Sequence, residues 1–234
     1  ATGGIGMAFA NYFSKQYPNL DLHLVGKRID SLNKSEFSQN THYHTLTNDL
    51  DSSLEKIGST IASNSPILFC INAIGALHSE VFQPEKRISQ FSIEQFQWSL
   101  YTNTIIPSLI IKYFTPLMAK EKPSIMAHLS AKIGSISDNR LGGWYSYRCS
   151  KAALNMLIKT TSIEMKRINS QFSIVGLHPG TVHSPLSKPF TQSINKSIFF
   201  PEESVALLMK NVISVITPDQ SGRLFSYPGD EIQP

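Results

Sequence analysis

Four apolar runs punctuate the chain: Leu22 to Val25, Ile67 to Ile71, Ser124 to Leu129 and Phe172 to Leu177. Each is short and mainly apolar, the pattern of a strand buried on both faces. Between them, apolar residues recur at helical spacing over about 5–15, 51–62, 92–119 and 145–168. Ser92 with Gln95 three residues later predicts a capping box, each side chain satisfying an orphan amide at the helix start. Pro201 followed by Glu202 and Glu203 predicts another helix, because acidic side chains favour its positive end. Strands alternating with helices imply an α/β fold, a doubly wound parallel sheet covered on both faces. No repeat, low-complexity tract or linker divides it, so residues 1–234 are expected to form one domain.

Composition narrows the function without naming it. Hydrophobic residues make up 41% and charged residues 16% of the chain, enough to bury a core. The formal charge of +4 is scattered, with Lys27-Arg28 and Lys120 to Lys122 the tight basic groups. Nucleic-acid binding would want a basic stripe with aromatic partners, and it is not expected. The longest apolar segment, Ile105 to Met118, is broken by Pro107, Ser108, Lys112 and Pro116, so no membrane span is expected either. The start shows no apolar signal core. Cys70 and Cys149 have no metal-ligand spacing and are expected as buried thiols, with no metal site. Two unpaired cysteines fit a reducing compartment, and a cytoplasmic protein is the default.

The chain opens on Ala1-Thr2-Gly3-Gly4-Ile5-Gly6, a strand-to-helix turn with no strand before it, so the sheet's first strand is expected to be missing. Glycines there let a pyrophosphate approach the helix N-terminus, where free amides and the dipole favour anions. A plain turn would account for the glycines equally well. After the first apolar run comes Gly26-Lys27-Arg28, with two cations where an NAD-dependent enzyme usually carries a carboxylate. Two cations would attract a ribose 2′-phosphate, which favours NADP, with NAD as the alternative. A solvated basic turn explains the same residues.

The sharpest signal is Tyr147-Arg148-Cys149-Ser150-Lys151. Residues four apart share a helix face, so phenol and ammonium can converge. A phenol titrates at about 10 and is a poor acid or base near neutrality. A nearby ammonium favours phenolate and is expected to bring that value down. Tyr147 could then give a proton to a carbonyl oxygen as hydride arrives.

In this context the chain resembles the short-chain dehydrogenase/reductase family over nearly its whole length. The N-terminal turn is similar to the family's Gly-x-x-x-Gly-x-Gly with its first glycine lost. Ile71-Asn72-Ala73-Ile74-Gly75 is similar to its Asn-Asn-Ala-Gly element, with Ala73 for the second asparagine and Ile74 for the alanine. Asn103, in Tyr101-Thr102-Asn103-Thr104, matches the helical asparagine of the family's proton relay. Pro179-Gly180-Thr181-Val182-His183-Ser184 matches the loop holding the nicotinamide carboxamide. The stretches 129–139 and 142–148 resemble the C-factor branch, whose relatives include sniffer-type carbonyl reductases.

The resemblance implies NADPH-dependent reduction of an aldehyde or ketone. Tyr147, Lys151 and Asn103 would be catalytic. Thr2, Gly4, Ile5, Gly6, Lys27, Arg28, Asp49, Asn72, Ala73, Gly75, Pro179, Gly180, Val182 and Ser184 would contact the cofactor. It also implies a homodimer or homotetramer built on the helices at about 92–119 and 145–168, through faces such as Ile105/Leu109/Lys112 and Leu154/Leu157/Thr161. The segment 184–200 would border a partly apolar substrate pocket.

One departure stands out. The family's substrate-binding serine is replaced by Ala131, with Ser130 expected to point away and Ser135 able to swing back. Such a donor is worth a few kcal/mol in the transition state. The alternative function is therefore an NAD(P)-binding signalling or regulatory protein with vestigial catalysis. His183 is expected as a water-exposed loop histidine rather than a substrate contact.

Overall fold

The computed structural model describes residues 2–63, 65–190 and 198–234. Helix α1 (Gly4–Gln16) leads to strand β1 (Leu22–Gly26), which pairs in parallel with β2 (Thr41–Thr45). Helix α2 (Leu50–Ala62) follows, then β3 (Phe69–Asn72), α3 (Ile93–Leu100), a π-helical turn over Tyr101–Ile105 and α4 (Ile106–Phe114). Strand β4 (Ser124–Leu129), helix α5 (Tyr145–Met165), β5 (Phe172–His178), α6 (Pro201–Leu208), β6 (Leu224–Ser226) and β7 (Glu231–Ile232) complete the order.

Strands β3-β4-β5-β6 are parallel neighbours, with β7 antiparallel at the edge. Among the described residues no ladder joins β1 to β3, so the parallel strands fall into two hydrogen-bonded sets.

Alternation along β4 divides the core. Met126 faces α2, α4 and α5, packing with Leu54, Ile110, Leu154 and Ile158. Ile125, Ala127 and Leu129 face α1 and α6, against Phe9, Phe13, Val205 and Leu208. Burying each large aliphatic side chain contributes about 2 kcal/mol, and the polar Ser124 and His128 on the Met126 face are buried with hydrogen-bond partners, Ala119 O and Asn72. The parallel sheet covered by helices on both sides is therefore present as expected.

Several boundaries differ. The expected helix 92–119 is α3, the π turn, α4 and a short 3-10 turn at Thr115–Leu117. Ser92 does cap α3 by accepting the Gln95 amide, but the Gln95 side chain donates to Gln83 O at 2.8 Å, so the box is half made. At α6 the Glu203 carboxylate accepts the Phe200 amide as its position predicts. Cys149 is exposed, contrary to expectation, because α5 buries Ser146, Ser150 and Leu154 and turns position 149 outward. Cys70 is half-buried, and burial pushes its thiol up to about 12. No helix among the described residues is long and apolar enough to cross a membrane.

Candidate active site

Three successive residues enter α5 with left-handed backbone: Gly142 at φ 63°, Gly143 at 65° and Trp144 at 53°. Only glycine adopts that region without strain, so Trp144 is held there by its surroundings. The Arg148 guanidinium straps the turn, donating to Gly143 O at 2.9 Å, Gly142 O at 3.1 Å and Ile133 O at 3.3 Å. One turn into the helix, Tyr147 stands half-buried, with the Trp144 ring edge-on 6.4 Å from its own.

Lys151 lies one turn further, 2% exposed, with Nζ 5.8 Å from the Tyr147 ring centroid. The two groups share a helix face, as the four-residue spacing requires. The Lys151 ammonium donates to Leu129 O at 2.9 Å, the last residue of β4, which brings the pair to the carboxyl edge of the sheet. Burial pulls the Lys151 amine down to about 8. The expected lowering of the Tyr147 phenol is not found. Burial pushes it up, because desolvation of a phenolate outweighs an ammonium already bonded to a carbonyl.

Asn103 is fully buried in the π turn, a distortion common at functional sites. Its Oδ1 accepts from Ala76 N at 2.9 Å, while Nδ2 donates to Ala76 O at 2.8 Å and Ser150 Oγ at 3.1 Å. Ser99 joins this group, donating to Ser146 O at 3.1 Å. A Cβ on Gly75 would sit 3.3 Å from Lys151 Nζ and 3.4 Å from Asn103 Oδ1, so the 72–76 loop closes directly on the pair. Asn72, at the end of β3, donates to His128 Nδ1 at 3.0 Å and accepts from Ile74 N at 3.0 Å. It shapes that loop from below. Ala73 packs with the α1-side core.

The residues expected to hold a dinucleotide fit one. Thr2 and Gly3 lead into α1, whose first turn, Gly4, Ile5 and Gly6, has neither a capping side chain nor an acid. A Cβ on Gly3 would meet nothing within 4 Å. Those amides remain available to an anion. Lys27 and Arg28 are exposed at the carboxyl end of β1, with no ion-pair partner among the described residues. Asp49 caps α2, accepting the Ser52 amide at 3.2 Å.

Across the sheet edge, Gly180 has φ 76°, and a Cβ there would press on the Tyr227 ring at 3.0 Å. Pro179 O accepts from Ser204 Oγ at 2.7 Å, tying this loop to α6. Val182 is buried and bridged to Phe199. Ser184 bonds within its own turn to Ser187. His183 is exposed, its ring 5.1 Å from Phe200. Of the segment 184–200, residues 191–197 lie outside the described residues.

Neither serine near Ala131 reaches toward Tyr147. Ser130 Oγ donates to Asn155 Oδ1 at 2.6 Å, and Ser135 Oγ donates to Gln233 O. The pattern of the sequence missed three further participants. Arg148 bonds the carbonyls of the left-handed approach to its own helix, and the Glu85 carboxylate holds a helix start 61 residues further on, neither of which the sequence pattern announces. His128, fully buried with no partner for Nε2 among the described residues, occupies a strand position that reads simply as core.

Residues 1–195 match the family model described as short chain dehydrogenase. An uncharacterised oxidoreductase of Schizosaccharomyces pombe is 26% identical, over 97% of this chain and 92% of its own. The C-signal protein of Myxococcus xanthus is 32% identical over 56% of this chain and 73% of its own. Among solved structures, the NADPH-bound carbonyl reductase from chicken fatty liver superposes with a TM-score of 0.83 at 24% identity, covering 99% of this chain and 95% of that one. The Sniffer carbonyl reductase of D. melanogaster gives 0.81 at 22%, with the same coverage. Those two likenesses concern the fold, and the family model carries the assignment: the chain belongs to the short-chain dehydrogenase/reductase family, enzymes that use a nicotinamide cofactor for oxidation and reduction.

Proposed function

We propose that this protein reduces an aldehyde or ketone with NADPH, Tyr147 supplying the proton. The observation that carries the reading is the shared face of α5. It brings a phenol with no hydrogen-bond partner among the described residues within 5.8 Å of a buried ammonium. NADPH, held by the first turn of α1 and by Lys27 and Arg28, would supply the hydride. Tyr147 Oη would donate to the substrate oxygen as negative charge develops there. Lys151, still protonated at neutral pH, would stabilise the phenolate left behind and reach the ribose hydroxyls. Asn103 would keep Ala76 and Ser150 in place around the ammonium. Asn72, Ala73, Gly75, Pro179, Gly180, Val182 and Ser184 would line the cofactor cleft, and Asp49 would border its adenine end.

The test is consumption of NADPH or NADH over a panel of aldehydes and ketones, with the alcohol quantified. The reading expects alcohol formed one-for-one with NADP and a lower KM for NADPH than for NADH. No alcohol from any carbonyl would refute it.

A second reading is favoured by Ala131 and the engaged serines: a nucleotide-binding signalling protein of the C-factor kind, with catalysis reduced to a remnant. It expects cofactor binding without turnover. We also propose a single domain and a homodimer or homotetramer. Tyr101, Ile105, Met156 and Ile163 are exposed apolar residues on the long helices, while Leu154 belongs to the core and cannot serve an interface. A monomer in sedimentation at micromolar concentration would overturn the oligomer.

A further inference from the structure

The start of α5 depends on a side chain from far upstream that takes no part in the proposed proton transfer. Glu85 lies in the segment between β3 and α3, 2% exposed. Its segment is pinned there: Gln95 donates to Gln83 O, and Lys86 N donates to Gln90 Oε1 at 2.8 Å. Both Glu85 carboxylate oxygens accept from Ser146 N at 3.3 Å, and Oε1 also accepts from the Ser146 hydroxyl. Its backbone carbonyl accepts from Trp144 N at 2.5 Å. A Cβ on Gly143 would lie 3.3 Å from that same carbonyl, so the left-handed turn packs directly on Glu85.

Helix α5 has no acid in its first turn and no capping side chain from its N-cap residue, Trp144. The carboxylate that helices favour at this end is supplied instead by another segment. It grips Ser146, the residue before Tyr147. Ser146 O in turn accepts from Ser99, which also receives a hydrogen bond from Asn103 at 3.3 Å. One buried polar chain therefore runs from Glu85 through Ser146 and Ser99 to Asn103.

We infer that Glu85 is a positioning residue: by capping α5 and holding Trp144 left-handed, it sets the reach of the Tyr147 hydroxyl toward the substrate. The consequence for turnover rests on the proposed reductase reading; the hold on α5 does not. A displacement of about 1 Å at the reacting group is enough to cost on the order of 10²-fold in rate.

The test compares wild type with Glu85→Gln, which keeps an acceptor for Ser146 N but loses the charge, and Glu85→Ala, which loses both. Three quantities are read: amide hydrogen exchange over residues 144–148, the Kd for NADPH from cofactor fluorescence, and kcat with the best carbonyl. Exchange of the first turn of α5 is expected to quicken while β4 and β5 stay protected. The kcat should fall by about 10-fold in Glu85→Gln and more in Glu85→Ala, with Kd unchanged.

Unchanged exchange or unchanged kcat in Glu85→Gln would overturn the inference. A Kd that weakens in step with kcat would overturn it too, since that is general damage. If Glu85→Ala does not fold, Glu85→Gln decides alone. Wild type that binds NADPH yet reduces no carbonyl would refute the reductase reading, and exchange would still decide whether Glu85 holds the helix.

Discussion

Lys151 is buried with a backbone carbonyl, not a carboxylate, as its acceptor. An ammonium kept out of water that way costs several kcal/mol relative to a solvated one, a cost typical of functional rather than structural positions. It was legible in the sequence because Tyr147 and Lys151 are four residues apart in a specific context. Ala131 was legible as well, as a methyl where a hydroxyl is usual. What the sequence left open was where Ser130 and Ser135 point, since their partners Asn155 and Gln233 are distant in the chain. With both engaged, neither serine offers a substrate oxygen the second donor that the proposed reaction would use. Ala131→Ser should therefore raise kcat/KM by about 10-fold, part of the effect of an oxyanion donor. A steady-state assay showing no gain would place the substrate elsewhere. His128 supplies a pH dependence. Burial holds its imidazole down at about 3, against about 6.5 when unfolded. The unfolded chain thus binds the proton first as acid is added, so this stability is complete above about pH 6.5 and is lost as pH falls toward 3. Urea unfolding should lose roughly 4 kcal/mol over that window. His128→Asn, which keeps an acceptor for Asn72, should flatten the curve; an unaltered slope would show that other groups dominate.

Helix α5 was visible in its apolar spacing from Tyr145 onward, but not the left-handed approach through Trp144, which tertiary contacts impose on a residue that disfavours it. The π turn at Tyr101–Ile105 was hidden for a related reason: it continues the helical run from α3 into α4, and only the contacts of Asn103 mark it. Strand β2, reading Thr41-His42-Tyr43-His44-Thr45, lacks an apolar run and none of its residues is buried, while β6 and β7 are too short to show a period. The longer buried strands β4 and β5 matched their expected spans to within a residue. At the end of β1, Lys27 and Arg28 were legible as a basic turn, and the structure leaves both exposed. Lys27→Glu with Arg28→Glu should weaken NADPH by about 100-fold, because two attractive charges become repulsive ones at the 2′-phosphate, while NADH changes little. Equal losses for the two cofactors, by fluorescence titration, would remove this turn from the recognition of phosphate.

Across the molecule, the parallel strands, the α1 turn and α5 bring one open helix end and one phenol–ammonium pair to the same sheet edge. Open α/β sheets bind their ligands at this edge. Fold and family were readable because alternating runs and motif spacing are local properties of the chain. The polar chain from Glu85 to Asn103 was not, because it joins segments far apart in sequence. The reductase account stands on Tyr147 as the proton donor. Its most direct test is the rate of NADPH oxidation by Tyr147→Phe at saturating NADPH and carbonyl. The account predicts a fall of about 10³-fold or more with the Kd for NADPH unchanged, in the range expected for loss of a general acid. A Tyr147→Phe rate equal to that of wild type would contradict it.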